Sequence, residues 1–430
     1  MMKIFFATLV CILSYQVNAQ SDSIQSQPTV IMNAIIHTGN GEVYENGILA
    51  FDLGKITLVA DSRLIRFNPE GYRVVDAEGG HIYPGLIAMN SQLGIKEIEL
   101  VRATQDAREV GKFNPNIRSI IAFNTDSRVI PTVRSNGILF AQVVPDGGVI
   151  SGTSSVVHLN GWNWEDATIS MDNGMHLDWP SAFSYKWDNG YKIEPNKNYD
   201  ASVREIRDLF DAAIAYHGSD NSASKNLKLE SLRELFTGKL TLFVEADKAK
   251  EIMNAAALAS EYGIRIVIVG GADSWMVKEE LAERGIPVVL TATHKLPSRE
   301  DEAVDLPFSL PAILTEAGVL CALSVSNDGS SYWNMRNLAF QTGTAAYYGM
   351  DKEMALQLVT KNPAEIMGLD NTIGFLDEGM DASFIVCKGD LFDTKESVID
   401  FAFIQGNEVL IENWQEELYN KYQSKYGIAE

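Results

Sequence analysis

Histidine and cysteine are scarce, at 6 and 3 of 430 residues. A zinc site built mainly from imidazole and thiolate therefore has few ligands to draw on. Basic residues are short as well: 35 Lys+Arg stand against 57 Asp+Glu, a formal net charge of −22. That charge repels nucleic-acid phosphates and anionic lipid surfaces, so neither a nucleic-acid nor a membrane partner is expected. No segment offers the roughly 18 consecutive apolar residues that a membrane-spanning helix needs. No G-x-G-x-x-G fingerprint follows a strand-like run, which argues against a dinucleotide-binding domain. Internal repeats and low-complexity tracts are absent too. What is present, 46 % hydrophobic and 21 % charged residues, suffices for a large core in one or two domains.

The chain opens on Met1-Met2-Lys3, an apolar run from Ile4 to Leu13, and Val17-Asn18-Ala19 before Gln20. This pattern reads as a secretory signal peptide over residues 1–19, cleaved after Ala19, so a periplasmic or secreted location is expected. Cys11 sits inside the apolar run rather than at its end, against a lipid anchor. Cleavage leaves Cys321 and Cys387 in separate strand-like runs, expected as buried thiols rather than as a disulfide or a nucleophile.

Residues 27–81 are short β-runs broken by Gly and Asn, such as Val30 to Ile36, Gly47 to Phe51 and Lys55 to Val59. After Tyr83-Pro84-Gly85 the texture changes. Near-continuous apolar strands at 137–144, 240–244, 264–269, 286–290 and 319–324 alternate with helical patterns near 247–262, 274–284 and 309–317. Such alternation means a parallel sheet covered by helices. Over this length a closed (β/α)8 barrel fits best, with an open doubly wound sheet as the alternative. Past Leu369 the β texture returns, with Gly406-Asn407 reading as a hairpin turn. The expected class is therefore α/β: a barrel over 83–370, a β-sandwich composed of 20–82 and 371–413, and a helical tail over 414–430.

Local motifs agree with this layout. They include Asn33-Ala34-Ile35-Ile36-His37-Thr38-Gly39, Tyr83-Pro84-Gly85-Leu86-Ile87, Gly148 to Ser154, Trp162-Asn163-Trp164-Glu165-Asp166, Lys361 to Gly368 and Ile373 to Ala382. In order and spacing the chain resembles the amidohydrolase superfamily over roughly 28–412, in particular its imidazolonepropionase-like branch. The resemblance implies hydrolysis of non-peptide C–N bonds at a divalent metal.

The metal ligands depart from that pattern. The resemblance implies a His-x-His pair after Pro-Gly-Leu-Ile, where two imidazoles at i and i+2 of a strand reach one ion. Asn90 and Gln92 stand there, carboxamides that are poor zinc ligands. Further histidines are implied after the fifth and sixth barrel strands, where Glu245 and Gly270 or Gly271 stand. The implied catalytic Asp after the eighth strand is matched by Asp328. His37 and His81 fall in the sandwich, His217 on a helix, and His158 and His176 in irregular central segments. His294 alone is expected near the mouth, as a hydrogen-bonding or substrate-contacting group.

Three readings follow. The first is an exported pseudoenzyme with no metal, which binds a small molecule at the barrel mouth or pairs with itself or an active amidohydrolase as a noncatalytic subunit. The second is a hydrolase with a rebuilt site, either Glu245, Asp247, Asp273 and Asp328 around a divalent metal, or Asp328 and His294 as a metal-free acid/base pair. Against it, Asp247 and Asp273 also suit the caps of the helices that follow them. The third is a carbohydrate or peptide binder using Trp162, Trp164, Trp179 and Trp187. Gly147, Gly148 and Gly152 lack the Lys-Ser/Thr ending of a phosphate loop and are expected to form a tight turn.

Overall fold

A computed structural model describes residues 27–187, 191–218, 225–325 and 331–428. The expected signal peptide and Asp328 lie outside the described residues. In chain order the first strands are β1 (Thr29–His37), β2 (Val43–Asp52), β3 (Lys55–Asp61), β4 (Arg73–Asp76) and β5 (His81–Pro84). The second group is β6 (Leu86–Ser91), β7 (Ile138–Val143), β8 (Ile150–His158) and β9 (Thr168–Asp178). A separate hairpin, β10 (Phe183–Trp187) and β11 (Tyr191–Pro195), precedes β12 (Thr241–Ala246), β13 (Ile266–Gly270), β14 (Val288–Leu290) and β15 (Cys321–Leu323). The chain then returns through β16 (Phe384–Cys387), β17 (Ile399–Ile404) and β18 (Asn407–Val409).

The two ends of the chain join in one mixed sheet of eight strands, ordered β18-β17-β16-β5-β1-β2-β3 with β4 on β1. This sheet curls over its own core. The Phe51 ring of β2 meets Phe384 and Phe403 at 5.6 and 5.0 Å, although β1 and β5 lie between them in the ladder. Its period-2 alternation also couples it to the barrel: on β16, Phe384 and Val386 face the sheet's core while Ile385 and Cys387 belong to the barrel's. The β17–β18 turn uses Gln405 and Gly406, both at positive φ (49° and 77°), one residue earlier than Gly406-Asn407. Left-handed backbone at both central positions is what a tight two-residue hairpin requires.

The other eight strands form the barrel, in order β6-β7-β8-β9-β12-β13-β14-β15. Of the seven neighbouring pairings in this order, five are parallel: β6–β7, β9–β12, β12–β13, β13–β14 and β14–β15. One strand departs from the (β/α)8 pattern, because β8 runs antiparallel to both β7 and β9. The seam is closed through the segment after helix Lys352–Gln357. Leu323 N–H donates to Leu358 C=O at 2.9 Å, and Ile87 N–H donates to Val359 C=O at 2.8 Å. Helices cover the parallel half. Helix Ala249–Tyr262 buries Ile252, Ala255, Ala256 and Ala259 at helical spacing and stops at Gly263, whose φ is 64°. The tail helix Trp414–Tyr426 docks near helix Val129–Arg134, with Gln415 accepting from Thr132 at 3.0 Å.

Cys321 and Cys387 are free and buried, as expected, and burial pushes the Cys321 thiol up to about 12. The aromatic contact between the two chain ends is the most exposed to test. Phe403→Ala is expected to lower unfolding free energy by about 3–5 kcal/mol in denaturant titration. A change below about 1 kcal/mol would show that the composite sheet does not depend on it.

Candidate functional site at the barrel mouth

The carboxyl ends of the barrel strands line a small pocket that is partly open to solvent. It is lined by Asn90 on β6 and Gln92 just beyond it, His176 and Asp178 on β9, and Phe243 and Glu245 on β12, with Asp146, Gly147 and Gly148 from the loop after β7. The structure thus brings together three of the anticipated residues, Asn90, Gln92 and Glu245. Each strand contributes at i and i+2, the spacing that places two side chains on one face. At β6 the register shifts between Ala88 and Ser91, and Asn90 adopts a positive φ of 49°, a conformation Asn tolerates better than most residues. Gly148 is required where it stands. Its φ is 75°, and a Cβ there would lie 2.7 Å from the carbonyl oxygens of Gly111 and Lys112.

Behind the pocket, one buried polar chain crosses four adjacent strands. Asn90 N–H donates to Gln142 Oε1 at 3.2 Å, and Gln142 Nε2 donates to Ser154 Oγ at 3.2 Å. Ser154 Oγ donates to the Gly174 carbonyl at 3.2 Å and lies 2.8 Å from His176 Nε2. Having given its one proton to Gly174, the serine accepts from histidine, which places the imidazole proton on Nε2 and leaves the Nδ1 lone pair. The ring stacks on Phe243 at 5.0 Å and 10°. Burial pushes its pKa down to about 3, so it is neutral at physiological pH. Gln142 and Ser154 are fully buried, so the directions of these bonds are tightly constrained.

Asp178 behaves differently. Its carboxyl is pushed up to about 6, first by desolvation and then by the carboxylates of Asp146 and Glu251. Asp146 itself is paired with Arg108 at 2.9 Å. His176 and Asp178 were missed in the sequence because the central segment reads as irregular; both lie on β9, and His158 ends β8. The signal that could have found them is the His-x-Asp spacing.

Other anticipated residues lie elsewhere. The exposed His294 contacts Thr344 Oγ1 at 2.6 Å and does not line the pocket; desolvation lowers its pKa. Its proposed partner Asp328 is outside the described residues. Gly270 is one residue past the lining Val269, and its φ is 93°. A Cβ at Gly270 would lie 2.8 Å from Asp247 Oδ1, so a histidine there would be strained and would meet Asp247. Asp247 instead receives Ala272 N–H at 3.1 Å, which braces the turn after β13. Asp273 receives Ala249 N–H at 3.3 Å and pairs with Arg299 at 3.1 Å, so it caps the preceding helix rather than the one that follows. Neither acid lines the pocket. Trp179 is buried, with Nε1 donating to Tyr199 OH at 3.1 Å, and none of the described tryptophans lines the pocket. His37 and His81 contact each other at 3.0 Å, and His37 contacts Glu353 at 2.7 Å, where the composite sheet meets the barrel.

The residues present do not fit the divalent ion that the resemblance implies. Two positions carry carboxamides, and the Nε2 of His176 is engaged by Ser154. Among the described residues no three His, Cys, Asp or Glu side chains gather as a metal-holding group.

A barrel with its pocket at the carboxyl ends of the strands, joined to a sheet drawn from both chain ends, defines an amidohydrolase-type architecture. The chain belongs to the amidohydrolase family, whose model matches residues 191–409. It is similar to an amidohydrolase structure from Thermotoga maritima MSB8, at 25 % identity and a TM-score of 0.76 over 89 % of this chain and 99 % of that one. An adenosine deaminase from Xanthomonas campestris with bound zinc shares the fold, at 16 % identity and a TM-score of 0.52 over 93 % and 98 % of the two chains. Among curated proteins, amidohydrolase tasK of Hapsidospora irregularis is 22 % identical over 347 residues, 70 % of this chain. The chain spans about a third of that relative's length, 34 %.

Two outcomes are expected from the pocket's wall. Ser154→Ala strips Gln142 and His176 of their shared acceptor and is expected to lower stability by about 2–3 kcal/mol, measured by denaturant titration. Asp178 has the opposite sign. Its folded pKa lies above the ordinary 3.8, so the folded state binds this proton more tightly and stability falls as pH rises from 3.8 to about 6. Asp178→Asn is expected to lose that slope. After discounting for the residue's solvent contact, it should be about 1 kcal/mol more stable than wild type at pH 7.

Proposed function

We propose that this chain is an exported amidohydrolase-family protein that binds a small molecule at its barrel mouth without metal-dependent chemistry. The observation that carries this reading is the chemistry of the implied ligand positions: Asn90 and Gln92 are carboxamides on the pocket wall, and among the described residues no three His, Cys, Asp or Glu side chains gather there. In a metal-dependent hydrolase the ion brings the pKa of bound water from 15.7 to about 7, and carboxamides give such an ion weak support. A noncatalytic role, alone or beside an active relative, is consistent with a pocket preserved while these donors changed. No helix of the described residues is long and apolar enough to cross a membrane.

One observation favours a second reading, a hydrolase with a metal-free site. A carboxyl titrating near 6 inside a pocket suits a general base, and Asp178 is such a group. The two readings separate in one set of assays on wild type, Asp178→Asn and the triple variant Asn90→His, Gln92→His, Glu245→His. The noncatalytic reading expects far less than one metal ion per wild-type chain by elemental analysis, a gain of metal in the triple variant, and no turnover of amides or lactams. Stoichiometric metal in wild type would overturn it. Turnover that disappears in Asp178→Asn would establish the second reading.

A further inference from the structure

The described lining of the pocket contains three carboxylates, Asp146, Asp178 and Glu245, and no lysine or arginine. Arg108 pairs with Asp146 at 2.9 Å from outside that lining. No hydrogen bond or ion pair to the side chain of Asp178 is formed by the described residues. An independent observation lies deeper. Gln92 is 2 % exposed, and its Oε1 is buried with no hydrogen-bond partner. A buried acceptor without a donor costs about 1–3 kcal/mol, which an N–H group of a ligand would recover. The Nδ1 lone pair of His176 is a second acceptor on the same wall.

These groups discriminate among ligand classes. An anion would face carboxylates with no cation of the described lining to receive it. A neutral donor would satisfy Gln92 but leave the charge of Asp178 unanswered. A cation rich in N–H groups answers both, and a planar N–C–N fork matches a carboxylate with two parallel hydrogen bonds. We propose that the pocket recognises a small organic molecule bearing an amidinium or guanidinium group, whose N–H donors take up Asp178 and the Oε1 of Gln92. This rests on the reading of the barrel mouth as a ligand-binding pocket. The pocket is partly open to solvent, so the rest of such a molecule can extend outward from the mouth.

Benzamidine, benzamide and benzoate share one shape and differ in charge, which makes them suitable probes for calorimetric titration of the full chain. Benzamidine is expected to bind with a Kd near or below about 1 mM, benzamide at least about tenfold more weakly, and benzoate without saturation. Asp178→Asn is expected to weaken benzamidine about tenfold or more and to leave benzamide unchanged, while Gln92→Met weakens both. Benzoate or benzamide binding as tightly as benzamidine would overturn the proposal, as would absence of benzamidine binding or its indifference to Asp178→Asn. The comparison of the three probes on wild type needs no variant, so it decides the matter even where a substitution prevents folding. Elemental analysis of the same preparation separates the two levels. Bound metal would overturn the noncatalytic reading, whereas lost charge selectivity in metal-free protein overturns the cation assignment alone.

Discussion

The hydrogen-bonded chain from Asn90 to His176 is the constraint on which the mouth depends. It links the backbone N–H of Asn90 on β6 to the buried side chains of Gln142 on β7, Ser154 on β8 and His176 on β9. Desolvated polar groups are tolerated only under that condition, and the low local dielectric then makes each bond count for more. The neutral state of His176 follows from the same enclosure, because there is no charged partner to compensate an imidazolium. Its ring is stacked on Phe243, and both line the pocket together with the carboxylates of Asp146, Asp178 and Glu245.

The reversed strand β8 makes this arrangement available. It carries Ser151, Gly152, Thr153, Ser154 and Ser155, small and polar residues that are all buried. This run contributes little apolar surface and is held in part by what its hydroxyls bond to, while Ile150, Val156 and Val157 at the ends of the strand join the barrel's core. The composite sheet supports the opposite side of the molecule by alternation on β16, so one short strand serves two cores. The seam through Leu358 and Val359 then fixes β6, the strand that bears Asn90, beside β15.

Much of this was legible in the sequence, for physical reasons that also explain the gaps. The later barrel strands are buried on both faces and so read as apolar runs; Ile266–Gly270 and Thr241–Ala246 fall close to where those runs placed them. Strands β8 and β9 escaped because their buried apolar residues are interrupted by polar ones, and a run such as Ser-Gly-Thr-Ser-Ser has no apolar signature. Asn90, Gln92 and Glu245 were found through the resemblance, at positions defined by what stands there in the family. His176 and Asp178 had no such template. Asp247 and Asp273 were anticipated as caps, and they do receive backbone N–H groups, but from Ala272 and Ala249 across the strand ends. Sequence proximity does not determine which helix end a buried carboxylate will face.

The most direct test of the central claim, that hydrogen bonds hold this wall in place of a metal, is the nitrogen-15 NMR signature of the His176 ring with and without excess zinc. The expected result is a neutral ring with its proton on Nε2 and a bare Nδ1 at pH 7, unchanged when zinc is added. A ring protonated at both nitrogens, or zinc-dependent shifts at either one, would contradict the account.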